Sequence, residues 1–242
     1  MIEYNVRRIG FNFKNILFSD PYDVPNCDQS QIISYKNMAT DQVKLVSKTP
    51  IIRLNKPINN IYANFNKTTR NEINRSQSVK ELLFEIDSKS YDDFYNLYLD
   101  FEKRKNRLSQ IPKLNDLRNN SRLFIARYKG KCISAILCYD DQRMFRANII
   151  CSVRLQDDDK DLNKIISYSS RRLIYEICDF GIKNNYKFFD LGEICEDIYS
   201  DVYNITKFKL NFSNELVESI HYYKIYNPIL KILALILNKK YF

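Results

Sequence analysis

The chain has 242 residues, 45% of them hydrophobic and 28% charged, with a formal net charge of +9. That length can bury a real core, and the composition excludes a disordered or collagen-like chain. One histidine and six cysteines without a C-x-x-C pair offer no clustered zinc set, and no apolar run approaches the roughly 20 residues of a bilayer span.

The surplus of positive charge fits an anionic partner: nucleic acid, phosphorylated substrate, acidic carrier protein or anionic lipid. It fits equally a lysine-rich solvated surface. Several cysteines lie inside apolar runs, as in C-I-S-A-I-L-C from Cys132 to Cys138, where the thiol is a small core hydrophobe. No secretory signal pattern precedes the first strand pattern, so the expected setting is a cytoplasm that keeps thiols reduced.

In chain order, I-E-Y-N-V near the start and I-I-S-Y around Ile33 read as strands, separated by the proline-punctuated loop D-P-Y-D-V-P-N. V-K-L-V-S-K-T-P-I-I-R-L, from Val43, reads as a strand pair or one bent strand. Residues 59–77 turn helical and basic: Ile58, Ile61, Tyr62 and Phe65 form an apolar stripe, with Lys67, Arg70 and Arg75 mainly off it. Those cations read either as a solvated face or as a phosphate-contacting patch, since guanidinium groups match phosphate geometry with paired donors.

E-L-L-F-E-I reads as a strand, followed by a helix opened by Ser90 as N-cap. Asp92 and Asp93 in its first turn and Lys103 to Lys105 in its last suit the helix dipole. Phe94, Leu97, Tyr98 and Phe101 make its buried face, and a short helix follows near Leu114. Three strand runs between Leu123 and Ser152 are divided by K-G-K and D-D-Q-R, which predicts an antiparallel meander. A polar loop over 153–163 leads to a long helix over 165–184. Its apolar side holds Ile166, Leu173, Ile177 and Phe180, and Gly181 with Asn184-Asn185 closes it.

The stretch from Lys183 to Pro228 is the densest in chemistry. It predicts a buried strand K-F-F-D, a loop marked by Gly192, a helical turn I-T-K-F-K-L and a last strand through His221 to Tyr226. Asp190 and Glu193 flank Leu191-Gly192 at a strand end, where sheet-end loops carry sites. Either carboxylate there is able to orient or deprotonate an amine, and Asp190 is equally able to cap the next turn. His221, inside a strand pattern, reads as a structural histidine first and a catalytic base second. The tail K-I-L-A-L-I-L-N-K-K-Y-F is apolar nearly all round, then basic. Docking on the domain or in a homodimer is its first reading, and peripheral contact with the inner face of a membrane is its second.

The order of elements from Glu81 is that of an α+β fold with a mixed, mainly antiparallel sheet. On these residues the chain resembles the FemAB-like, GNAT-related acyltransferases. I-Y-E-I-C-D-F-G-I-K-N-N-Y-K-F-F-D-L-G-E is similar to their helix and strand. I-T-K-F-K-L-N-F-S-N-E-L-V-E is similar to their F-K-x-x-F-G-G-E-x-V segment, and Tyr222 to Pro228 to a closing Y-Y-x-x-Y-N-P found in small relatives from bacterial surface-polysaccharide clusters. R-x-x-I-x-R at Arg70 to Arg75 resembles the family's basic helix between two lobes. The resemblance covers residues 81–228 well and the first 80 loosely.

It implies residues 81–242 as a GNAT-like acyltransferase domain, and 1–80 as a smaller strand-rich lobe, the degenerate half of a FemAB-like pair. It implies transfer of an acyl or aminoacyl group to the amino group of a nucleotide sugar or another cell-envelope precursor. The family's F-K lysine, taken to stabilise developing negative charge, falls on Lys209 beside Phe208, with Lys207 competing. Arg70, Arg75, Ser152 and Tyr168 complete the expected donor- and substrate-binding set. The family's F-G-G is Phe212-Ser213-Asn214 here. The glycine-containing pyrophosphate loop of ordinary GNAT enzymes is replaced by S-V-R-L-Q-D-D-D-K, which has no glycine and several acids. The donor is therefore open between acyl-CoA, an acyl carrier protein and aminoacyl-tRNA, with no metal. A non-catalytic RNA-binding or assembly protein on a decayed acyltransferase fold is the rival reading.

Overall fold

The computed structural model describes residues 1–8, 10–105, 112–153, 159–200 and 202–239. The described residues form an α+β structure of strands β1–β10 and helices α1–α7, and divide into two compact units, 1–49 with 216–242, and 50–215. The expected boundary near residue 80 falls inside the second unit. Helix α2 (Lys67–Gln77), assigned by sequence to the first lobe, is there packed against α5 (Lys160–Lys183).

In the first unit, β1 (Ile2–Arg8) and β2 (Phe11–Leu17) form an antiparallel hairpin. β2 runs parallel to β3 (Gln29–Ser34), which pairs antiparallel with β10 (Leu216–Ile225). Ile16, Val24, Ile32, Ile220 and Tyr222 fill its core. His221 is scaffold here: its Nδ1 lies 2.8 Å from Gln31 Nε2 on the neighbouring strand. The Y-N-P motif is also architectural. Tyr226 Oη accepts from the Val24 amide at 2.8 Å. Asn227 caps α7 (Pro228–Ile236) by accepting from the Ile229 amide, and donates to Asp28. Strand β2 was not among the sequence expectations; its Phe-Asn-Phe-Lys-Asn-Ile-Leu run alternates only weakly.

In the second unit the sheet begins with the end of β4 (Val43–Arg53), which is a single strand. It continues through β9 (Phe188–Asp190), β8 (Met144–Ser152), β7 (Lys131–Asp140), β6 (Ser121–Tyr128) and β5 (Leu82–Glu85). All pairs are antiparallel except β8 with β9. The K-G-K and D-D-Q-R turns thus join strands as expected.

Helices cover both faces. On one, α5 packs with α1 (Ile58–Asn64) and α2 over Phe124, Ile136, Phe145 and Phe189. On the other, α3 (Tyr91–Arg104) and α4 (Leu114–Arg118) cover Leu123, Ile125, Leu137 and Ile149. The single basic helix expected over 59–77 is two helices. Phe65 leaves helical geometry (ψ 149°) to bury its ring against Phe212, and Asn66 caps α2 by accepting from the Thr69 amide at 2.7 Å. α5 begins five residues before the expected start because Asp159 caps it through the Leu162 amide. At its far end Gly181 is needed for close approach, as a Cβ would lie 2.6 Å from Leu54 Cδ1.

Candidate active site

The parallel pairing of β8 and β9 lasts three residues, from Met144 opposite Phe188 to Arg146 opposite Asp190. Beyond that point β9 ends while β8 runs on to Ser152, so the two chains part. Just past the fork β8 carries an irregularity: Leu137 faces Ile149 and Cys138 faces Ala147, leaving Asn148 without a rung. A bulged residue leaves its backbone groups out of the ladder. A cleft of about 320 Å³ opens there, walled by Ala147–Ile150, Leu191, and Ile205 and Lys209 of α6 (Tyr203–Leu210), and by Tyr98, Phe101 and Glu102 of α3.

At the fork sits a buried ionic cluster. Arg146 donates through Nη1 to Asp190 Oδ2 at 2.7 Å and through Nη2 to Glu193 Oε1 at 2.6 Å. Asp190 Oδ1 accepts from the Gly192 amide at 2.7 Å. Lys209 donates to the backbone carbonyl of Glu193 at 2.6 Å. Two cations and two carboxylates therefore meet in a region where Asp190 has no exposed surface and Arg146 has 6%. Burial, the largest influence, pulls the Lys209 ammonium down to about 8. Asp190 and Glu193 resist that pull, and Arg146 adds to it. Its folded environment thus brings both ammonium and free amine within reach near neutral pH.

Local structure explains how a lysine reaches this place. Thr206 and Lys209, one helical turn apart, are the buried residues of α6. Thr206 Oγ1 accepts from the Cys195 amide and donates to its carbonyl, clamping the loop onto the helix. Lys209 then enters beneath the same loop. Gly192 permits the approach: it has φ +79°, and a Cβ there would stand 3.1 Å from Ala147 O and 3.2 Å from Lys209 Nζ.

Of the residues expected from sequence, Lys209, Asp190 and Glu193 come together. Lys207 points outward, its ammonium 5.2 Å above the Tyr203 ring, so the helix face separates the two lysine candidates. Phe208 packs on Phe212 and lies under the Arg171 guanidinium. Arg70 and Arg75 sit on α2, and Tyr168 on α5, on the face of the sheet away from α3. Arg70 is tied to the carbonyls of Ala63 and Phe65 and so closes α1. Ser152 ends β8, and its carbonyl accepts from Arg104 at 2.7 Å. Residues 154–158, in the glycine-free loop, lie outside the described residues.

Two residues were missed. Arg146 stands in a run of apolar residues on a strand, and a buried charge requires a partner. Glu102 follows the apolar stripe of α3 and is 7% exposed, yet lines the cleft. In each case the signal was a charge at an apolar position.

No family model matches the sequence, and no curated protein matches it. Solved structures do. FemX superposes with a TM-score of 0.64 over 96% of this chain and 85% of its own, at 10% identity. The C-terminal domain assigned to lysylphosphatidylglycerol synthetase in Agrobacterium fabrum gives 0.55 over 86% and 71%, at 13% identity. L-PGS from Bacillus licheniformis gives 0.50 over 86% and 74%, at 11% identity. At such identities the likeness is one of fold: this chain shares the fold of these structures, in line with the α+β architecture expected from the sequence.

Proposed function

We propose that the chain is a transferase that moves an acyl or aminoacyl group onto an amine. The observation that carries this reading is Lys209, a lysine held buried at a strand fork, facing a cleft that also presents a carboxylate. Attack of an amine on a carbonyl makes a C–N bond and places negative charge on the carbonyl oxygen. Protonated Lys209 stabilises that oxyanion. The nitrogen's proton passes to Glu102, the carboxylate lining the cleft. Collapse of the intermediate expels the thiolate or alkoxide of the donor, which takes up a proton. Asp190 and Glu193, engaged with Arg146, hold the fork and the carbonyl that anchors Lys209.

The acceptor we propose is the amino group of a nucleotide sugar or another cell-envelope precursor, and the donor an acyl-CoA, an acyl carrier protein or an aminoacyl-tRNA. The net charge of +9 suits each of these donors. A buried ionic cluster is costly compared with apolar packing of the same volume, which favours catalysis over the non-catalytic RNA-binding alternative. The test is transfer by purified protein across the three donor classes and a panel of amino sugars. Wild type is expected to turn over at least one pair, with Lys209→Ala roughly 10²–10³-fold slower. Nuclease-sensitive activity identifies the tRNA donor. No transfer from any donor, together with salt-dependent RNA binding indifferent to Lys209→Ala, would reverse the assignment.

A further inference from the structure

Of the residues of helix α7, Leu230 and Ala234 are the buried ones. Apart from Lys231, the rest of the helix circumference is apolar: Ile229, Ile232, Leu233, Leu235, Ile236 and Leu237 are all exposed, Leu235 to 81% and Ile236 to 72%. Six large apolar side chains on so short a stretch are far from the scattered exposure of an ordinary surface. We propose that this helix is a peripheral anchor that lies in the headgroup region of an anionic lipid surface.

Two observations choose lipid over a second copy of the chain. The exposed apolar residues wrap most of the helix, whereas a helix pair needs only a narrow seam. The charged residues of the segment 228–239 are Lys231 and Lys239, both exposed, with no acid among them. In a two-fold pair each cation would face the same cation-only segment, because an isologous contact presents one patch to itself. Against anionic headgroups the exposed Lys231 is matched. The helix has 9 residues, about 14 Å at 1.5 Å per residue, so it lies on a bilayer and does not cross it. No described helix is long and apolar enough to span. The inference is independent of the transferase reading.

The full chain is sedimented with phosphatidylcholine vesicles, with and without 30% phosphatidylglycerol, at about 0.1 M and 0.5 M salt. Binding to the anionic vesicles is expected at low salt, at least tenfold stronger than to phosphatidylcholine alone. Leu235→Glu with Ile236→Glu should abolish it, and Lys231→Gln should weaken it. Both glutamates fall on exposed positions, and thermal unfolding verifies that the variants fold. Anionic binding that the double variant retains would be net charge acting alone and overturns the proposal. So does an absence of vesicle binding. A concentration-dependent dimer that the double variant dissolves, without vesicle binding, assigns the face to a second copy instead.

Discussion

Lys209 ties stability to pH in a way that can be measured without knowing any substrate. An unfolded lysine titrates near 10.5, and this one is drawn down to about 8 in the folded chain. Between those values the unfolded state binds more protons than the folded state, so stability rises with pH across that window. The penalty for burying the charged form is complete below about 8 and gone above 10.5. The shift corresponds to about 3 kcal/mol at 1.36 kcal/mol per unit. In urea unfolding at pH 7 and pH 10, wild type should therefore gain stability relative to Lys209→Met, by up to about 3 kcal/mol. A difference flat in pH would mean that the ammonium is not desolvated. On the transferase reading proposed above, activity should move the opposite way, falling as pH rises through about 8 and the Lys209 ammonium is lost.

At the scale of elements, most of the second unit was legible because its signals are local. The meander is marked by turn residues, α3 by charge polarity and an apolar stripe, and the strand before Gly192 by the Phe188-Phe189 pair ahead of a glycine-marked loop. The break between α1 and α2 was not legible, since Phe65 continues the helical stripe. What ends α1 is the aromatic pocket at Phe212, far along the chain. Asn66 then both caps α2 and holds Asn211, with its amide bonded to the Asn211 carbonyl at 2.9 Å. Asn66→Ala should cost about 1 kcal/mol, read as a lowered urea midpoint with an unchanged slope. The candidate site was half legible for the same reason. Lys209, Asp190 and Glu193 sit in one stretch that a motif brings to notice. Arg146 and Glu102 come from other elements and reach the site through register and packing.

Across the whole molecule, the six cysteines report on how the structure opens. Cys138, Cys151 and Cys178 are buried, and burial pushes their thiols up, while Cys132, less deeply set, is pushed up to about 12. Cys27 and Cys195 are half-buried. Burial also pushes the Cys27 thiol up, so, with the thiolate the reactive form, a thiol reagent at pH 8 should label Cys195 in the folded protein, Cys27 more slowly, and the three buried residues only on unfolding. Early labelling of Cys178, which faces the sheet from α5, would reveal opening of that layer below the global transition.

The fork between β8 and β9 also bears on substrate choice. Past Arg146, no described strand pairs with the edge of β8 that turns toward the cleft. Backbone N–H and C=O groups have an obligatory demand for partners. A guest with amide groups spaced like a polypeptide is able to add itself as a short strand, while a guest without them leaves that edge to water. On the transferase reading proposed above, transfer should therefore be faster from substrates that carry such amides beside the reactive carbonyl than from analogues that lack them.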